Sequence, residues 1–216
     1  MEAAPLDAVA LVAGAASPLG MAVARRLAAR ASGGLVLVDR DAAGLEAAAD
    51  RLPDPPERVS TLPIDIADKA GWEAVRDFIA AHYGRLDWAA AHIGAAPADS
   101  QSADPADWRR ATGQQLEGAF LILRTLTPFM RANTDGGAIV LIAADAAHYA
   151  VPALAAQGVS TAGLLQLMRV AAREGAADGV RVNAIAPGGP ETALWRDAPM
   201  LIDLARAAGG AEAALR

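Results

Sequence analysis

Short, mainly apolar runs alternate with longer stretches of helical period along most of the chain, and this alternation limits the fold more than any other feature. Residues 8–12, 34–39, 59–65, 86–92, 137–143 and 180–186 read as strands, and 18–31, 42–51, 69–83, 108–132 and 155–174 as helices. A strand that is apolar at consecutive positions has to be covered on both faces, which is the condition of a parallel sheet between helix layers. Right-handed crossovers then leave a doubly wound parallel α/β sheet of about six strands as the expected architecture. Residues 1–216 are expected to form one domain, since no linker or repeat interrupts the pattern before an Ala/Gly-rich tail.

Composition narrows the function classes. Net charge is −6 and the Lys and Arg residues are scattered, so the concentrated positive face that nucleic-acid phosphates demand is not expected. No apolar run reaches the roughly 18 residues of a membrane span, and the start of the chain lacks the pattern of a secretory leader. Cysteine is absent, and His82, His92 and His148 lie far apart without ligand spacing. No metal is therefore expected, and a reducing cytoplasm is the expected location.

The turn between the first strand and the first helix, Gly14-Ala15-Ala16-Ser17-Pro18-Leu19-Gly20, carries the clearest chemistry. Glycine lets the chain turn tightly there and lets a pyrophosphate approach the helix N-terminus. Ser17 suits the N-cap and Pro18 the first helical position, and the amides of Leu19 and Gly20 are expected to face an anion. Asp39 ends the second strand roughly 20 residues further on, where a dinucleotide-binding domain puts an acid on the adenosine ribose hydroxyls. A carboxylate there repels a 2′-phosphate, which favours NAD over NADP, whereas neighbouring Arg40 works against that preference. The alternative is that these glycines only pack the helix against the sheet.

Further along, Gly179-Val180-Arg181-Val182-Asn183-Ala184-Ile185-Ala186-Pro187-Gly188, with Thr192 after it, resembles the sixth-strand segment of the short-chain dehydrogenase/reductase family. Gly14 and Gly20 match the outer glycines of that family's first turn, with Pro18 in place of the middle one. Asp39 matches its NAD-type acid, and Asp65-Ile66 the pair it sets beside the adenine. Gly137-Ala138-Ile139-Val140 is similar to its fifth strand, and Glu174 with Gly179 to the end of the helix that follows. The resemblance implies a Rossmann-type, three-layer α/β/α sandwich that binds NAD. Gly14, Ser17, Leu19, Gly20, Asp39, Asp65, Ile66, Pro187, Gly188 and Thr192 would lie along the cofactor.

The chain departs from the family where the chemistry is done. The family sets a tyrosine and a lysine one helical turn apart after the fifth strand, a serine before them, and an asparagine on the preceding long helix. In the register fixed by Asn183 and by residues 137–140, those positions hold Gln157, Thr161, Ala144 and Gln115. Hydride transfer to a carbonyl needs a proton donor tuned near the working pH, and a carboxamide does not ionise there. The asparagine-rich motif after the fourth strand reads Ala91-His92-Ile93-Gly94 and keeps only the glycine. Tyr149, with His148 and Asp145 in the same loop, and His92 are the candidates for a substitute; the plain reading of each is a packed or solvated side chain.

Family members run on past the Pro-Gly pair through a substrate lid to a seventh strand. Residues 193–216 read as a shortened lid and tail without a strand, which makes 180–186 an expected edge strand in need of cover. Helices 108–132 and 155–174 carry Leu116, Phe120, Leu164 and Met168, which either face their own sheet or pair with a second subunit. The resemblance implies a homo- or hetero-oligomer with another subunit of the family. The expected function is a non-catalytic subunit that partners an active NAD-dependent dehydrogenase. The alternatives are an NAD(H)-dependent oxidoreductase or non-redox enzyme with substituted residues, and a dinucleotide-sensing protein.

Overall fold

A computed structural model describes residues 7–53, 58–94, 103–150 and 154–187. Six parallel strands form one sheet in the order β3-β2-β1-β4-β5-β6. They are β1 (Val9–Ala13), β2 (Gly34–Asp39), β3 (Val59–Pro63), β4 (Trp88–His92), β5 (Gly137–Ile142) and β6 (Val180–Ile185). The helices between them are α1 (Pro18–Ala28), α2 (Ala42–Ala49), α3 (Lys69–His82), α4 (Pro105–Ala132) and α5 (Ala155–Gly175). The doubly wound α/β sheet expected from the apolar runs is thus present.

Alternate residues of the central strands feed two cores. Ala10 and Val12 of β1, with Leu35 and Leu37 of β2, pack against Met21 and Ala24 of α1 and Leu45 of α2. Val9 and Leu11, with Val36 and Val38, face the other way and join Trp72 and Ile79 of α3, Ile122 and Leu126 of α4 and Leu164 of α5. Three helices therefore cover one face and two the other, and β1 and β2 are apolar throughout because they are buried on both.

β6 differs: Val180 and Val182 are buried, whereas Arg181, Asn183 and Ile185 are exposed. It borders the sheet among the described residues. The tail 193–216 expected to cover it lies outside the described residues.

Four helices start on a side-chain cap. Ser17 caps α1, Asp41 caps α2, Asp68 caps α3 and Asp104 caps α4, each accepting a first-turn amide that would otherwise lack a partner. The Asp104-Pro105 pair sets the start of α4 earlier than Trp108, the position suggested by apolar period alone, because proline is suited to a first turn. No helix among the described residues is long and apolar enough to cross a membrane.

Candidate active site

Between β1 and β4 the strand order reverses, and the carboxyl ends of strands at such a reversal are where doubly wound folds usually place a ligand crevice. Gly14 follows β1 and has a φ of 76°. A Cβ added to it would lie 2.1 Å from the carbonyl oxygen of His92, the last residue of β4. Only glycine lets the first turn close onto the end of β4 in this way. Gly20 is equally tight, since a Cβ there would lie 2.0 Å from the Gly14 carbonyl oxygen.

Ser17 ties the turn together. Its hydroxyl donates to the Gly14 carbonyl at 2.7 Å, accepts the Gly20 amide at 3.0 Å and meets Nδ1 of His92 at 2.9 Å. This corrects one expectation: the Gly20 amide is taken by the cap and does not face a ligand. Pro18 has no N–H, so the Leu19 amide is the donor of the first turn that has no partner among the described residues. Leu19 itself is 36% exposed.

The side expected to take adenosine is built from neighbouring strand ends. Asp39 accepts the Ala16 amide at 3.1 Å through Oδ2 and the Asp41 amide at 3.2 Å through Oδ1, which couples the end of β2 to the glycine turn. The Ile64 amide donates to the Asp39 carbonyl at 3.0 Å, so Asp65 and Ile66 come off β3 beside it. Exposed Asp65 accepts the Ala67 amide, and the Ile66 carbonyl accepts Trp72 Nε1. Ile66 also fills the space over Gly118 of α4. Pro187 is exposed just beyond β6, while Gly188 and Thr192 lie outside the described residues.

On the other side of the crevice the structure gathers Gln115, Ser160 and Thr161, all nearly or fully buried. Gln115 Nε2 donates to the Ile93 carbonyl at 3.2 Å. Its Oε1 accepts the Ser160 hydroxyl at 2.5 Å and the Thr161 hydroxyl at 3.3 Å, linking α4 to α5. Ser160 is the residue the sequence reading passes over. Gln157 is half-buried, with its Oε1 enclosed and without a hydrogen-bond partner. Ala144 is half-buried after β5, and Tyr149 is 69% exposed beside exposed His148, so neither of these two ring side chains is packed.

None of Gln115, Gln157, Ser160 and Thr161 exchanges a proton near neutral pH. His92, at the end of β4, is a titratable side chain beside the first turn. Burial pushes its pKa down, and the charge of Asp39 works in the opposite direction. The free imidazole is thereby kept toward its neutral form.

A family model described as enoyl-(acyl carrier protein) reductase matches residues 14–213. The chain is 36% identical over 182 residues to the D-threitol dehydrogenase of Mycolicibacterium smegmatis, a match that covers 83% of this chain and 68% of that protein. The solved structure of L-sorbose reductase from Gluconobacter frateurii, complexed with NADPH and L-sorbose, superposes with a TM-score of 0.81 at 27% identity, over 96% of this chain and 76% of that one. That of NAD+-bound xylitol dehydrogenase gives 0.80 at 27% identity, over 94% and 76%. Proteins similar to this chain are thus dehydrogenases and reductases, and those two structures hold a nicotinamide dinucleotide, one in each phosphorylation form. These relatives overturn the expected role as a non-catalytic partner, which rested on the substituted positions Gln115, Ala144, Gln157 and Thr161 and on the shortened lid.

Proposed function

Because the chain belongs to the short-chain dehydrogenase/reductase family, we propose that it is an oxidoreductase that interconverts a secondary alcohol and its ketone with NAD(H), using substituted residues at the substrate end. The observation that carries this reading is Asp39, locked by the Ala16 and Asp41 amides at the end of β2 beside the glycine turn. Each carboxylate oxygen spends one lone pair on an amide and keeps another for a ribose hydroxyl. A dinucleotide fits the residues present at this end: the free Leu19 amide and the positive end of α1 suit its pyrophosphate, and Asp39 suits its adenosine ribose. Asp39 favours NAD over NADP by repelling a 2′-phosphate. When bound, the nicotinamide supplies the hydride donor or acceptor.

The chain's own residues divide the remaining work. Gln115, Ser160 and Thr161 hold α4, α5 and the Ile93 carbonyl in fixed relation, giving the substrate end an uncharged floor. Gln157 offers a carboxamide that orients a substrate oxygen by hydrogen bonding but does not move its proton. That proton falls to solvent or to a titratable neighbour, of which Tyr149 is the candidate on this chain.

The test is a calorimetric titration of the purified protein with NADH, followed by turnover assays on a panel of linear polyols and cyclic secondary alcohols. Binding together with turnover that falls at least tenfold in Gln157→Ala or Tyr149→Phe supports the proposal. No binding at millimolar NADH overturns it. A second reading, a dinucleotide-sensing protein, is favoured by the uncharged cluster around Gln115, and its mark is tight NADH binding without turnover on any substrate.

A further inference from the structure

His92 is an ionisable side chain at the crevice that nothing in the family resemblance assigns. It ends β4 at the point where the strand order reverses, directly under the turn formed by Gly14. We propose that His92 binds the pyrophosphate of the dinucleotide through its Nε2 atom, taking up a proton as it does so, and that it serves there as the cation of the site. The inference rests on the dinucleotide-binding reading above and adds the group that reads the phosphates.

The hydrogen bonds of Ser17 fix which ring nitrogen does this. A hydroxyl has one hydrogen, and Ser17 gives it to the Gly14 carbonyl in its shortest contact, 2.7 Å. Its lone pairs are left for the Gly20 amide and for His92 Nδ1 at 2.9 Å, so Nδ1 carries a hydrogen and donates. That bond is the same in neutral and cationic imidazole. Protonation therefore occurs at Nε2, which has no partner among the described residues and is not among the enclosed unpaired atoms.

The surroundings favour an anion at that atom. Ser17 caps α1, so the ring lies at the positive end of that helix, close to the unpaired Leu19 amide. Neither β1 and its turn, from Val9 to Met21, nor β5 carries an ionisable residue. Among the described residues, the charged group whose field reaches the ring is Asp39 on β2. Without a ligand, burial disfavours the imidazolium, against the opposing charge of Asp39. An arriving pyrophosphate stabilises the cation and raises its pKa in the complex, so affinity rises as pH falls between the bound and free values. Thr161 provides no cation where the family sets a lysine, and His92 is the group directly under the Gly14 turn that can take up positive charge.

The experiment is calorimetry of NADH, ADP-ribose and adenosine binding in pairs of buffers with different ionisation heats, on the wild type and on His92→Asn. Asparagine keeps a donor toward Ser17 but does not titrate. Circular dichroism and thermal melting confirm that the variant is folded. The expected result is uptake of up to about one proton with NADH and ADP-ribose and none with adenosine, because adenosine has no phosphate. His92→Asn should abolish the uptake and weaken ADP-ribose by about tenfold at pH 6, the equivalent of one unit of pKa shift. NADH binding without proton uptake, or equal uptake in His92→Asn, overturns this inference and leaves the dinucleotide reading intact. No NADH binding by the wild type overturns both.

Discussion

Asp87 and Val9 exchange two hydrogen bonds at the entry to the sheet: the Asp87 amide donates to the Val9 carbonyl, and the Val9 amide donates to Asp87 Oδ2, each at 2.9 Å. Arg85 clamps the same carboxylate, with Nε 3.0 Å from Oδ2 and Nη2 2.6 Å from Oδ1. The Asp87 carbonyl also accepts the Ala138 amide of β5. One buried acid thus joins β1, β4 and β5 at the edge opposite the crevice. Replacing it leaves the Val9 amide and the guanidinium without a partner, although Arg85 is partly solvated and recovers some of that loss. Asp87→Ala is therefore expected to cost roughly 2–4 kcal/mol, or about 5–15 °C in melting temperature. Arg85→Ala should cost less than half as much. Thermal melts of the two variants check this, and equal losses would refute the ranking.

Gly14→Ala tests the crevice geometry. The added Cβ would overlap the His92 carbonyl at 2.1 Å, and the φ of 76° disfavours any side chain. Strain and overpacking together predict a loss of about 2–5 kcal/mol. Separation of the turn from β4 should also break the Ser17–His92 contact, so the histidine proton resonances should move together with the loss of NADH binding. A variant that melts and binds like the wild type would show that the turn does not rest on β4 as described.

The fold was legible in the sequence where burial on both faces imposes an unbroken apolar run, as in β1 and β2, and less so in β6, whose outer residues are solvated. The geometry of the first turn was legible because Gly14, Ser17 and Asp39 are fixed by local spacing along strand, turn and helix. The loss of the Gly20 amide as a ligand donor is also local information, since the cap that places Ser17 consumes that first-turn amide. Ser160 could not be found this way. Its partner Gln115 is 45 residues away, and their contact depends on how closely α4 approaches α5. The start of α4 is set by the Asp104-Pro105 cap, a signal that apolar period does not carry.

The Gln115 cluster gives a prediction about the substrate end. Gln115→Leu removes the acceptor of Ser160 and Thr161 and the donor to the Ile93 carbonyl. Ser160 keeps the Ala156 carbonyl as an alternative acceptor, so the unpaired groups reduce to the Thr161 hydroxyl and the Ile93 carbonyl. The expected cost is about 1–3 kcal/mol. Thr161→Val, which loses only the longer contact, should cost less than about 1 kcal/mol. Denaturant unfolding of both variants distinguishes the two, and a larger loss in Thr161→Val would show that the longer bond dominates.

Asp39 sets the expected cofactor preference. Asp39→Ala removes the acceptor for the ribose hydroxyls and the charge that repels a 2′-phosphate, while exposed Arg40 remains beside the site. NADH affinity should fall by roughly 10- to 100-fold, the scale of losing hydrogen bonds to a charged group. NADPH affinity should fall less or rise. Parallel titrations with the two dinucleotides measure the ratio, and an unchanged ratio would argue that Asp39 does not meet the ribose.

The outer surface of α4 and α5 leads to a prediction about assembly. Phe120 of α4 is 50% exposed, and Val159 and Val170 of α5 are 55% and 42% exposed, although buried residues of the same helices already pack on the sheet. Apolar side chains left in water on two adjacent helices lower their free energy by pairing with a second copy through a two-fold axis. Self-association through this face is therefore expected, and Phe120→Glu together with Val159→Glu should reverse it. Each substitution places a charge where the partner's equivalent residue would lie close by, without touching the core. Sedimentation velocity should show a dimer or larger species for the wild type and a shift toward monomer for the double variant, with far-ultraviolet circular dichroism unchanged. A wild type that sediments as a monomer at all concentrations would mean that the exposed residues of α4 and α5 are solvated surface.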